Sequence, residues 1–235
     1  MLILGIDTAT RRVGVIIGDE NGLLVRVELG ATTGQPRHAE TLAPAIAWCC
    51  EQVGVEPVQL SAVAIGIGPG MFTGLRVGVT TAKLLAQVLR IPVIPIPSLD
   101  LLAYPLRYTR GLVVATIDAR RHELYWAVYR PVPGGVQRVS KYELGSPDDV
   151  VAELQARGED AIVCGDGALR FGALFGQLEQ RVELAGPAHG SPSLTALAEL
   201  AAARYEREDF VGPEVVLPMY LRQSDAELEW DRKGA

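Results

Sequence analysis

Two aspartates close short apolar runs in this chain: Asp7 ends LILGID and Asp118 ends LVVATID. Between them lies GIGPGMFTGLRVG, residues 66–78, with five glycines and a proline in 13 positions. Acids at strand ends, with a glycine turn leading into a helix, are the parts of a phosphate-handling site, because free N–H groups at a helix start favour anions. The usual templates nevertheless fail. A Walker loop ends in Gly-Lys-Ser/Thr, whereas Gly74 is followed by Leu75 and Arg76, and a dinucleotide fingerprint needs its third glycine where Met71 stands. The alternative is a tight strand-to-helix turn whose backbone lies close to something else.

Other chemistry is served less well. Cys49, Cys50 and Cys164 have no metal-ligand spacing, and an odd count argues against a disulfide framework. His38, His122 and His189 are never three or four residues apart, so no protein-only metal site is expected. No Gly-x-Ser-x-Gly nucleophile motif supports a peptidase.

These candidates need elements to position them. At 235 residues the chain holds one large or two small domains. With 49% hydrophobic and 21% charged residues its composition is that of a globular protein, and no apolar run reaches membrane-spanning length. No basic region precedes the apolar N-terminus, which reads as a first strand; a cytoplasmic location is expected. The net charge of −6 argues against a protein that grips nucleic acid by itself, since phosphate contacts supply most of such affinity. Any RNA would be held mainly by a partner.

Leu2–Asp7, Val13–Gly18 and Leu23–Leu29 read as a meander, with Asn21-Gly22 as a hairpin turn. Thr33–Arg37 is loop composition, and a helix follows from His38 to Val53. Its interior, Leu42–Cys50, carries no charge, so it is either covered on both sides as a core helix or lies between a sheet and a second protein. Pro44 is expected to loosen its start. After the strand Ser61–Ile67, a second helix from Phe72 to Arg90 places Arg76, Thr80, Lys83, Gln87 and Arg90 on one stripe, read as a solvated edge. A strand Ile91–Ile96 and a short helix Leu99–Tyr104 complete the first half.

Beyond Pro105–Gly111 the pattern recurs. Leu112–Arg130 repeats the strand, Ile-Asp, paired-arginine turn and second strand of Leu2–Gly18, and each copy continues through a glycine turn to Glu-Leu-Gly. A capped helix Ser146–Leu154, a strand Ala161–Cys164, the turn Gly165-Asp166-Gly167 and a helix Ser193–Glu206 follow, then a tail from Pro218 whose end is expected to be poorly ordered. The expected fold is α/β: two related domains, 1–105 and 106–235, each a mixed sheet with flanking helices, with Asp7 and Asp118 at equivalent strand ends lining the cleft between them.

GIDTAT, HAETLAP, GIGPGMFTGLRVG, IDARRHELYWAVY, GDGA and PMYLR, in that order across almost the whole chain, resemble the bacterial TsaB (formerly YeaZ) family of tRNA threonylcarbamoyladenosine biosynthesis proteins. That family lies within the actin, sugar kinase and Hsp70-like (ribonuclease H-like) superfamily. The resemblance implies a non-catalytic dimerisation or scaffold subunit for N6-threonylcarbamoyladenosine at position 37 of tRNA. Its partners would be the catalytic subunit TsaD, the ATPase TsaE and a second copy of itself, with tRNA engaged only through the complex and no membrane involved. The implied docking helices are His38–Val53 and Phe72–Arg90, and the candidate interface residues are His38, Leu42, Ile46, Trp48, Phe72, Leu75, Arg76, Val79 and Lys83. The catalytic relative has two metal-binding histidines four residues apart; here His38 is followed by Leu42. Asp7, Thr10, Asp118, Gly165 and Gly167 would be relics of a nucleotide cleft. Ala9 stands where a phosphate loop has glycine, and Asp166 where an adenosine turn prefers glycine. No cofactor is therefore expected on this chain alone, with ATP or ADP held only in complex with partners. The competing expectation is a phosphotransferase or ATPase using Asp7 and Asp118.

Overall fold

Alternation of aliphatic residues builds the first sheet. In Leu2–Asp7 (β1), Leu4 and Ile6 enter one core while Ile3 enters another on the opposite face. Arg12–Asp19 (β2) and Gly22–Gly30 (β3) pair antiparallel beside β1, and Ala62–Gly66 (β4) and Val93–Ile96 (β5) follow in parallel, in the order β3-β2-β1-β4-β5. The β2–β3 hairpin turns where the Asp19 carboxylate accepts from the amides of Asn21 and Gly22 at 2.8 and 3.1 Å. The protein is described by a computed structural model that covers residues 1–30, 37–178 and 181–222. The expected loop at 33–36 and the end of the tail lie outside these.

The second sheet has the same order. Leu112–Asp118 (β6) pairs antiparallel with Leu124–Val132 (β7) and parallel with Ala161–Cys164 (β10), which continues to Val182–Leu184 (β11). The counterpart of β3 is broken into Gly135–Arg138 (β8) and Glu143–Gly145 (β9), both paired to β7. The repeat read from sequence is thus a repeat of topology: two mixed α/β sheets with flanking helices.

Helices cover the sheets. His38–Val53 (α1) and Phe72–Leu89 (α2) lie on one face of the first sheet, burying Leu42, Ile46, Cys49 and Val79 against Leu4, Val15, Val63 and Ile65. Pro44 does not interrupt α1, and Gly54 (φ 66°) and Arg90 (φ 57°) end the two helices in left-handed conformations. In the second half, Pro147–Arg157 (α4) starts at a Ser146–Asp149 capping box, and two short helices not expected from sequence, Asp166–Arg170 (α5) and Gly172–Phe175 (α6), follow β10.

The remaining helices cross between the halves. Ser98–Ala103 (α3), from the first half, sets Leu99 and Leu102 against Val113, Ala115 and Tyr129 of the second sheet. Leu194–Glu206 (α7), from the second half, sets Leu194, Leu197 and Ala201 against Ile3, Ile16, Ala62 and Ile94 of the first. The boundary expected after residue 105 separates the two sheets, but each half lends a helix to the other. Beyond α7 the chain returns to the first sheet, where Val211 pairs with Val93 and the Met219 amide donates to the Ile67 carbonyl at 2.8 Å, before Leu221 and Arg222 reach the second unit.

Candidate functional site

The two strand-end acids have diverged. Asp7 is buried, its carboxylate accepting from Ser98 Oγ at 2.8 Å and from the Ala9 amide at 3.1 Å, with Gly66 so close that a side chain there would strike it. Desolvation by burial pushes its carboxyl up to about 6, against the pull of the Ser98 and Ala9 hydrogen bonds. Asp118, by contrast, faces the cleft. Arg170 Nη1 donates to both of its oxygens at 2.7 Å, and the Arg120 amide donates to Oδ1 at 3.0 Å. The expectation that both acids line the cleft is therefore corrected: only Asp118 does, because Asp7 is sealed by Gly66 and Ser98. Among the described residues no three metal-ligating side chains gather.

The glycine loop serves close packing. Side chains at Gly70, Gly74 or Gly78 would collide with Ala9 and Thr8, so the start of α2 lies directly on the 8–10 loop. Thr8 Oγ1 donates to the Gly74 carbonyl at 2.8 Å, and the Met71 amide donates to the Ala9 carbonyl at 2.7 Å. His38, buried at the start of α1, bonds the Thr10 carbonyl through Nε2 at 2.9 Å and fastens α1 to the same loop. Thr10 in turn accepts from the Arg12 amide through Oγ1 at 3.3 Å. The space over the 8–10 loop is filled by the protein's own helices.

Gly165 and Gly167 are structural in the same manner. Gly165 has φ 102° and ψ 173°, a region essentially restricted to glycine, and lies against the Thr116 carbonyl; Gly167 packs on Leu124 and Thr116. Asp166 is half-buried beside them, accepts from the Asp118 amide at 2.9 Å, and is pushed up to about 6 by desolvation.

The candidate interface residues divide sharply. His38, Leu42, Ile46, Leu75 and Val79 are buried inside the first unit and have no surface to offer, because they occupy the sheet-facing sides of α1 and α2. Lys83 is committed to the chain's own C-terminal segment, its Nζ donating to the carbonyls of Val216 at 2.9 Å and Glu214 at 3.3 Å. Phe72 stacks on Tyr220 with centroids 5.0 Å apart and carries the Arg76 guanidinium at 4.2 Å. Trp48 remains outward, 44% exposed. Sequence reasoning missed other exposed apolar residues of these helices: on α1 Ala43 and Ala47 are exposed, and on α2 Leu84 and Val88 are 57% and 79% exposed. The signal was present, since Leu84 and Val88 follow Thr80 at four-residue steps.

Between the units a cleft of about 480 Å³ is lined by the start of α2, the 118–121 turn and residues 219–222. The tip of that turn carries three consecutive left-handed residues, Arg120 (φ 63°), Arg121 (φ 53°) and His122 (φ 61°).

Comparisons with known proteins agree with this architecture. The family described as tRNA N6-adenosine threonylcarbamoyltransferase (TsaD) matches residues 32–230. The Haemophilus influenzae tRNA threonylcarbamoyladenosine biosynthesis protein TsaB is 30% identical, covering 99% of this chain and 97% of that protein; the Bacillus subtilis TsaB is 29% identical, covering 98% of each. An uncharacterised Mycobacterium leprae protein is 37% identical over 96% of this chain, which spans 56% of that longer protein. The solved YeaZ structure from Pseudomonas aeruginosa superposes with a TM-score of 0.78 at 29% identity, covering 94% of this chain and 99% of that one. With the same two sheets, the same order of motifs and near full-length similarity, the chain belongs to the TsaB (YeaZ) family of tRNA threonylcarbamoyladenosine biosynthesis proteins.

Proposed function

We propose that this protein is a non-catalytic scaffold subunit of tRNA N6-threonylcarbamoyladenosine synthesis in the cytoplasm. In this reading it pairs through α1 and α2 with the catalytic subunit TsaD, works with the ATPase TsaE, and self-associates through the same face when alone. The observation that carries the reading is the outward face of α1 and α2, where Trp48, Leu84 and Val88 stand exposed among Ala43, Ala47 and Thr80. Such a charge-poor apolar strip with an aromatic anchor has the chemistry of a protein interface. The non-catalytic part is supported by the sealed Asp7, the arginine-clamped Asp118 and the filled 8–10 loop. A nucleotide would then be held, if at all, with partner residues.

Reconstitution of tRNA modification from purified components tests this. The reading expects the reaction to depend on this chain, and expects Trp48→Asp to reduce pairing and modification at least tenfold with the monomer's melting temperature within a few degrees of wild type. Full modification without the chain would overturn it, as would unaltered pairing by a double Trp48→Asp, Val88→Asp variant.

A further inference from the structure

The cleft between the units contradicts the charge of the whole chain. Although the net charge is −6, four arginines line this cleft: Arg76 from α2, Arg120 and Arg121 from the 118–121 turn, and Arg222 from the C-terminal segment. Asp118, the one acid among the described lining residues, is held by Arg170 and Arg120, and Glu123 behind the turn is held by Arg222. The turn adopts left-handed backbone at three residues in succession, a conformation that side chains other than glycine disfavour, and in it two guanidinium-bearing residues line the cleft. The α2 helix opens onto the same space with no side chain capping its first N–H groups. Phe72 and Tyr220 form a stacked aromatic wall, with the Arg76 guanidinium lying on the Phe72 ring.

We propose that this cleft binds a single-stranded segment of RNA, the phosphodiester lying on the arginines and the α2 N-terminus and a base stacking on the Phe72–Tyr220 wall. This rests on the reading that tRNA is the substrate of the machinery. Guanidinium clusters interleaved with aromatic faces are the recurring chemistry of single-strand recognition, and about 480 Å³ accommodates roughly one nucleotide with its phosphates. A free nucleoside triphosphate fits less well. It brings a magnesium ion, and the two acids that could receive one are sealed against Gly66 and Ser98 or clamped by Arg170. Phosphodiesters need no metal.

The test is fluorescence anisotropy of a labelled, unmodified tRNA transcript with the full chain at 50 and 200 mM salt. Wild type is expected to bind with a log-log salt slope of about −1.5 to −2, corresponding to two or three single-strand phosphate contacts. Arg120→Glu with Arg121→Glu should weaken binding at least tenfold, and Arg130→Glu, a charge reversal on the remote end of β7, should change it less than twofold. If the double reversal fails to fold, Arg120→Gly with Arg121→Gly retains the left-handed turn, for which glycine is suited, and should still lose most of the affinity and flatten the slope. Equal binding by the glycine variant overturns the proposal, as does wild type that retains no RNA at 50 mM salt. Binding of ATP with magnesium that competes fully with RNA would reassign the cleft to a nucleotide. Partner pairing measured on the same preparations separates the outcomes: a chain that pairs but holds no RNA sinks this inference alone.

Discussion

Two copies of one topology have been turned to different ends. In the first unit the strand-end acid is buried, the adjoining loop is filled by glycine contacts from α2, and the outer faces of the helices are left apolar. In the second, the equivalent acid lines the cleft and is paired with Arg170, and the carboxyl pushed up by desolvation is instead the half-buried Asp166, on a short helix after β10. The first unit has exchanged an interior pocket for an exterior face, whereas the second has kept its inner edge open. A duplicated fold conserves where loops emerge, and the side chains on those loops decide whether the space is closed or lined.

The largest test of that contrast compares one tightly packed glycine from each unit. Gly66 ends β4 and Gly165 follows β10, and both lie against the neighbouring strand. An added methyl at Gly66 meets the end of the Asp7 side chain; at Gly165 it meets the Thr116 backbone, with φ at 102°. Gly165→Ala should therefore cost about 3 kcal/mol or more in denaturant unfolding, exceeding Gly66→Ala. The reverse order would mean that the first unit is the more rigidly packed at this point.

A somewhat smaller effect separates the desolvated acids. The folded carboxyl of Asp7 holds its proton up to about pH 6, while the unfolded one releases it near 3.8. Between these values the folded state binds more protons, so this group's stabilisation, complete below the lower value, is lost as pH rises through the upper one. The loss amounts to about 2 to 3 kcal/mol. Asp166 adds a similar slope from the second unit. Urea titrations from pH 4 to 7 should show each of Asp7→Asn and Asp166→Asn removing roughly half of this decline. An unchanged slope in Asp7→Asn would show that its carboxyl is ionised in the fold.

The smallest concerns the C-terminal segment on α2. Lys83→Met removes the ammonium that binds the Glu214 and Val216 carbonyls and should cost about 1 kcal/mol. Hydrogen exchange at the Val93 and Val211 amides should quicken, since they share the bridge that this segment continues. Faster exchange confined to the second sheet would contradict the assignment.

Much of the architecture was legible in the sequence. The Ile-Asp strand ends, the Asn21-Gly22 hairpin and the recurring order of strands have fixed spacings that backbone geometry forces, and the structure keeps them. The sides of α1 were not legible, because a helix free of charge from Leu42 to Cys50 gives no polar stripe to mark solvent. Hence Leu42 and Ile46 stand beside Trp48 among the interface candidates with no sign of which point outward, and only Trp48 does. The α5 and α6 helices, five and four residues long, are too short to show a helical period. The arginine-lined cleft was hidden for another reason: its cations come from three separate stretches, and no local pattern joins Arg76, Arg120 and Arg222.

The exchange of α3 and α7 between the halves also bears on how the chain is made. The face of the first sheet carrying Ile3, Ile16 and Ile94 is covered by Leu194, Leu197 and Ala201, which leave the ribosome well over a hundred residues after β1. The first sheet must wait with that surface uncovered, while the second sheet, covered by α3 before it and α4 to α6 after β9, is complete with β11 at Leu184. The half translated later is thus the first able to close its core, and the N-terminal half finishes last, when α7 arrives.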